Sequence, residues 1–117
     1  MINFLRRLFV KKPLTKKLLA VEREFYQIMK LSYGIHFWID WYGAYEIDPR
    51  TVVFWICVET DLLKASLSRN KDLETQLRSA FTKFQYPAHA IPFIYIGFES
   101  QETVNRESGG NWYHHFK

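Results

Sequence analysis

A single cysteine, Cys57, occurs among the 117 residues. It sits inside the apolar run Phe54-Trp55-Ile56-Cys57-Val58 with no second thiol to pair with, so an internal disulfide framework is excluded and a reducing compartment fits. Long hydrophobic runs are also missing, since no stretch approaches the roughly 20 apolar residues that a membrane-spanning helix needs. Near the amino terminus Arg6 and Arg7 interrupt the apolar residues, and no small-residue cleavage site follows, which argues against a secretory signal. Together these absences predict a cytoplasmic, soluble chain without a membrane span. Chemistry-bearing motifs are scarce too. There is no glycine-rich phosphate loop and no nucleophile with an adjacent base, so the residues predict no enzyme, no cofactor and no metal site. Neither a repeat of solenoid length nor an interdomain linker interrupts the chain. The expectation is one domain over 1–117, with a basic arm at 1–13.

What the chain does have is apolar and aromatic content, 48% hydrophobic and 18% aromatic against 24% charged, which is ample for a core. The net charge of +4 is unevenly spread. Residues 1–30 carry eight Lys/Arg against Glu22 and Glu24, whereas residues 31–117 carry eight against ten acids. A basic arm and helix therefore precede a mildly acidic body, an asymmetry compatible with nucleic acid or an anionic surface, although a lysine-rich solvated helix face is commoner.

Hydrophobic periodicity assigns the elements. Leu14, Leu18, Val21, Phe25 and Ile28 recur at steps of four and three, predicting an amphipathic helix that starts near Pro13 and Thr15 and stops by Gly34. From Ile35 the period becomes two, with Ile35, Phe37, Ile39 and Trp41 on one face of a strand and His36, Trp38, Asp40 and Tyr42 on the other. Turn chemistry around Asp48-Pro49 leads to a second strand, Thr51 to Glu59, apolar on both faces and so expected at the centre of a sheet. Thr60 or Asp61 can cap a short helix, and Ser68 or Asn70 a second one that carries Leu73, Leu77, Ala80, Phe81 and Phe84 up to Pro87. A third strand is expected over Ile91 to Phe98, then a helix capped at Ser100 and stopped by Gly109-Gly110, and a last short strand over Trp112 to Phe116. The fold class is α+β. A mixed sheet of three or four strands is covered by the N-terminal amphipathic helix and by a helix that crosses over between the second and third strands.

Two strand-like runs end alike, at Glu59-Thr60-Asp61 and at Glu99-Ser100-Gln101-Glu102. If the two strands are parallel neighbours, these acidic turns share one sheet edge, a candidate working surface. Paired carboxylates there can in principle share a metal or act as acid and base, but carboxylates beside helix N-termini more often cap free backbone donors. His114 and His115 adjoin each other in the expected strand, so they point to opposite faces and do not suit a common metal; His36 and His89 are isolated. Trp38, Tyr42 and Tyr45 offer a stacking platform for single-stranded nucleic acid beside the basic helix, but Asp40, Glu46 and Asp48 on the same segment repel phosphate.

The stretch Phe98-Glu-Ser-Gln-Glu-Thr-Val-Asn-Arg-Glu-Ser-Gly-Gly-Asn-Trp-Tyr-His-His-Phe-Lys117, preceded by Phe54-Trp55-Ile56 and Tyr86-Pro87, resembles a group of small bacterial proteins without enzymatic motifs. Some of these look like cognate immunity proteins of contact-dependent or polymorphic toxin systems. The resemblance spans about residues 35–117. It implies a cytoplasmic protein that neutralises one partner toxin domain, such as a nuclease, by covering its active site or substrate surface. On that reading Asp40, Glu46, Asp48, Glu59, Asp61, Glu99 and Glu102 are the expected partner-binding residues, with their carboxylates standing in for phosphate. The basic N-terminal region departs from the acidic character that such an inhibitor would favour. It keeps open a second expectation, a small nucleic-acid-binding module using that region and the exposed aromatics.

Overall fold

The computed structural model describes residues 12–116; Arg6, Arg7 and nearly all of the basic arm expected at 1–13 lie outside the described residues. The fold is α+β. Helix α1 (Pro13–Ser32) is followed by strand β1 (Trp38–Tyr42), a 3-10 turn (Pro49–Thr51) and strand β2 (Val53–Val58). Two helices, α2 (Asp61–Ser68) and α3 (Lys71–Lys83), and a second 3-10 turn (Ile91–Phe93) lead to β3 (Tyr95–Ser100). Helix α4 (Gln101–Ser108) and the short α5 (Trp112–His115) complete the described chain.

The sheet has the order β1-β2-β3, with β1 antiparallel and β3 parallel to the central β2. Its register assigns the two faces. Ile39, Trp41, Phe54, Ile56, Ile96 and Phe98 share one, while Trp38, Asp40, Tyr42, Trp55, Cys57, Gly97 and Glu99 share the other. The first face is closed by α1 and α3. Of the helix stripe read from the 3.6-residue period, Leu18, Val21 and Phe25 have no solvent exposure, Leu14 and Ile28 are partly buried at its margins, and Met29 joins the sealed set. Phe25 of α1, Phe54 of β2 and Phe81 of α3 meet in a triangle of ring centroids 4.9, 5.4 and 5.8 Å apart, and Trp41 stacks on Phe54 at 5.6 Å. Tilted and edge-on pairs at these separations satisfy the ring quadrupoles while removing large apolar areas from water. They bind the two helices and the sheet together.

Capping residues set the helix starts. Thr60, Asn70, Ser100 and Asn111 each accept a hydrogen bond from the backbone N–H three residues ahead, and Asp48 accepts one from the Arg50 N–H two residues ahead in the first 3-10 turn. Each such cap is worth about 1 kcal/mol.

Several expected boundaries are corrected. Helix α1 begins at Pro13 with Lys12 as its cap position. Strand β1 begins at Trp38, not Ile35, because its partner Cys57 is close to the point where β2 leaves the sheet for the α2 cap; Ile35 and Phe37 pack against the core without pairing. Thr51 belongs to the 3-10 turn, so β2 starts at Val53. Pro92 sits at the start of another such turn, with no N–H to give a ladder, and β3 runs Tyr95–Ser100 instead of Ile91 to Phe98.

The largest correction falls on Trp112 to Phe116. This segment is a turn of helix, and the sheet has no fourth strand among the described residues. Gly109 and Gly110 both take positive φ, Asn111 caps the turn, and Trp112 contacts Phe116 at 5.6 Å, a spacing of four that an alternating pattern of five residues also satisfies.

Candidate functional site

The parallel pairing of β2 with β3 carries Glu59-Thr60-Asp61 and Glu99 to Glu102 to the same end of the sheet. There the carboxylates are taken up by internal donors. Asp61 Oδ1 accepts from the hydroxyls of Ser100 and Thr103, both at 2.6 Å, and Oδ2 from Arg106 at 2.8 Å. These hydrogen bonds, Ser100 first, hold the Asp61 carboxyl well below the ordinary carboxylate range. Glu102 Oε1 accepts from the Asp61 backbone N–H at 2.7 Å, and Glu59 pairs with the His36 ring at 2.7 Å.

Glu99 is buried at 7% exposure, receiving Lys64 Nζ at 2.6 Å and the His115 ring at 2.8 Å. Burial pushes its carboxyl up, but hydrogen bonds from Lys64, His115 and the Ser100 N–H, with the Lys64 charge, outweigh it and leave it below its usual value. The corner thus clasps α2, α4 and α5 onto the strand ends.

His115 extends this clasp, with its other ring nitrogen 2.9 Å from Ser108 Oγ. A hydroxyl, an imidazole and a carboxylate in series have the order of an activated nucleophile. Here, however, the Glu99 charge already faces Lys64, and the neighbouring cleft is lined by other residues. The series fastens the last helical turn to the sheet. Reading Trp112 to Phe116 as a strand hid it, since only a helical turn brings His115 back over Glu99. Among the described residues no group of His, Cys, Asp and Glu is arranged to hold a metal ion.

Glu46 and Asp48 fall elsewhere. They precede β2, whereas the corner follows it, about 20 Å away at roughly 3.3 Å per strand residue. Glu46 pairs with Lys12 at 2.7 Å. Asp48 is clamped by Arg50, whose side-chain and backbone hydrogen bonds lower its carboxyl to about 2.

Asp40 stands on the second face of the sheet, beside Trp55 in the register, and of the seven expected residues it shares that face with the buried Glu99. It is exposed, and its carboxylate makes no hydrogen bond or ion pair among the described residues. Around it the face is aromatic. Trp38 meets Trp112 edge-on at 5.2 Å, Trp55 stacks on Phe116 at 4.7 Å and 16°, and Trp55 Nε1 donates to the Tyr42 hydroxyl at 3.1 Å. Gly97 makes room for this layer, because a Cβ there would lie 2.8 Å from the Trp55 ring and 2.5 Å from that of Tyr95. Helix α5 covers only part of the face. What remains is an open cleft of about 370 Å³ lined by Asp40, Tyr42, Trp112, Tyr113 and Phe116. Cys57 lies under the same layer with no exposure, and burial pushes its thiol up to about 12.

No family model, curated protein or solved structure matches this chain. Among the described residues no helix is long and apolar enough to cross a membrane.

Proposed function

We propose that this chain is a non-enzymatic binding protein of the immunity type, which neutralises a toxin domain by covering its active site or substrate surface. One observation carries the binding reading: a partly covered aromatic face with a carboxylate, Asp40, that no donor among the described residues has claimed. Aromatic side chains of this kind supply rigid contact area at low entropic cost, and a charge at the rim or floor fixes orientation and partner choice. The resemblance over about residues 35–117 supports a toxin as the partner. Asp40 and the exposed carboxylates of Glu46 and Glu59 are the acids best placed to meet it. Asp61, Glu99 and Glu102 serve by holding the scaffold.

Mixing the purified chain with the toxin domain encoded beside it tests the reading. A stable complex and loss of toxicity on co-expression are expected; a neighbouring toxin that neither binds nor is restrained by this chain would falsify it. Part of the basic set that the nucleic-acid alternative needs is engaged within the chain, since Lys12 and Lys83 pair with Glu46 and Glu24 and Lys17 donates to the Gln85 carbonyl. A steep salt dependence of oligonucleotide binding would favour it instead.

A further inference from the structure

We propose that the cleft over the second sheet face receives a guanidinium group, an arginine side chain presented by a protein partner. Three observations converge on this chemistry. Tyr42, Trp112 and Phe116 bring aromatic rings to one opening, and ring faces attract cations through their quadrupoles. Asp40 adds a full negative charge to the same lining, with its oxygens free of donors among the described residues. The space, about 370 Å³, admits a planar head group with its methylene stem.

The combination selects among cations. A quaternary ammonium would satisfy the rings but offers the carboxylate no N–H. A lysine ammonium offers N–H donors but is a strongly hydrated point charge with no flat surface to stack. A guanidinium has both, a fork of N–H groups for the two Asp40 oxygens and a plane for the aromatic rings, and it is less strongly hydrated. Asp40 repels phosphate and carboxylate groups, so an anionic occupant is disfavoured. The cleft rests on the binding-protein reading only for the source of the arginine; its preference for a guanidinium is a property of this chain alone.

The test uses the whole chain and N-acetyl-arginine amide as the probe, followed by the Trp112 indole N–H and Tyr42 ring resonances. N-acetyl-citrulline amide at matched ionic strength is the neutral isostere. Saturable shifts confined to the cleft with the arginine probe and none with citrulline are expected. Asp40→Asn, at an exposed position and checked by an unchanged melting temperature, should weaken the response roughly threefold. Tyr42→Leu, which keeps apolar volume but removes a ring, should weaken it as well. An equal response to citrulline, a stronger response to tetramethylammonium, or no cleft-specific shift up to the solubility of the probe overturns the inference. Toxin binding by the unaltered chain, with no arginine response, sinks the cleft assignment alone. A clear arginine response without toxin binding sinks the function reading alone.

Discussion

The two faces of the sheet are built from the same strands and are about equally aromatic, yet they differ in what covers them. One is sealed by two long helices whose rings interlock with Phe54, and the other is capped by a single helical turn that leaves an opening over Asp40. Aromatic content therefore does not separate core from surface in this chain. What separates them is the length of the element lying across each face, together with one carboxylate placed where water still reaches it.

Truncation at matched positions breaks that comparison most directly. Phe54→Ala should cost about 3–5 kcal/mol by chemical denaturation, as expected for a ring removed from a filled interior. Trp55→Ala, one residue on and facing the other way, should cost about 2 kcal/mol or less. Equal losses would mean that the two faces are equally part of the core. Next in size is Lys64→Met, which strips Glu99 of its main partner while the carboxylate stays buried against His115. A loss of about 2 kcal/mol is expected, and adding Glu99→Gln should recover part of it, a coupling that a double-mutant cycle would read.

Acid should act through the same corner. Asp61 and Glu99 have carboxyls lowered by folding, so the unfolded chain binds more protons as the pH drops. Their contribution is complete above the ordinary carboxylate range and fades as the pH falls through and below it, from about pH 5 downward. Melting temperatures taken from pH 7 to pH 3 should decline, and Asp61→Asn should flatten the decline while lowering stability at neutral pH. A curve of unchanged slope in that variant would remove Asp61 from the account.

Gly97→Ala should destabilise by about 1–2 kcal/mol by crowding Trp55 and Tyr95, and should disturb the indole signals of the second face more than those of the first. The smallest effect is expected at the exposed C-terminal end of α3. Gln85 holds φ at 59°, just past the end of α3, and Gln85→Gly should raise stability by about 0.5–1 kcal/mol by removing the left-handed strain.

Much of the sealed face was legible in the sequence because a single long period leaves little choice. The α1 stripe, the doubly apolar β2 and the caps at Thr60, Asn70 and Ser100 all declare themselves through spacing or hydroxyl and amide chemistry. The second face was harder to read. Five residues from Trp112 fit a strand as well as a helical turn, and only the paired glycines with Asn111 as a cap decide the matter. Likewise, sequence places Glu59, Asp61, Glu99 and Glu102 at strand ends but does not say whether each meets solvent or a donor. Arg106, Lys64 and His115, from three different helices, settle that through contacts at long sequence separation. Asp40 stands out only once those other acids are seen to be occupied.

The lone thiol beneath the aromatic layer gives the molecule a built-in clock. Because Cys57 is sealed and held protonated, an alkylating reagent reaches it only when something above it lifts away. If α5 peels off on its own, modification will outpace global unfolding measured at Phe54; if the turn leaves only with the rest of the fold, the two rates will coincide.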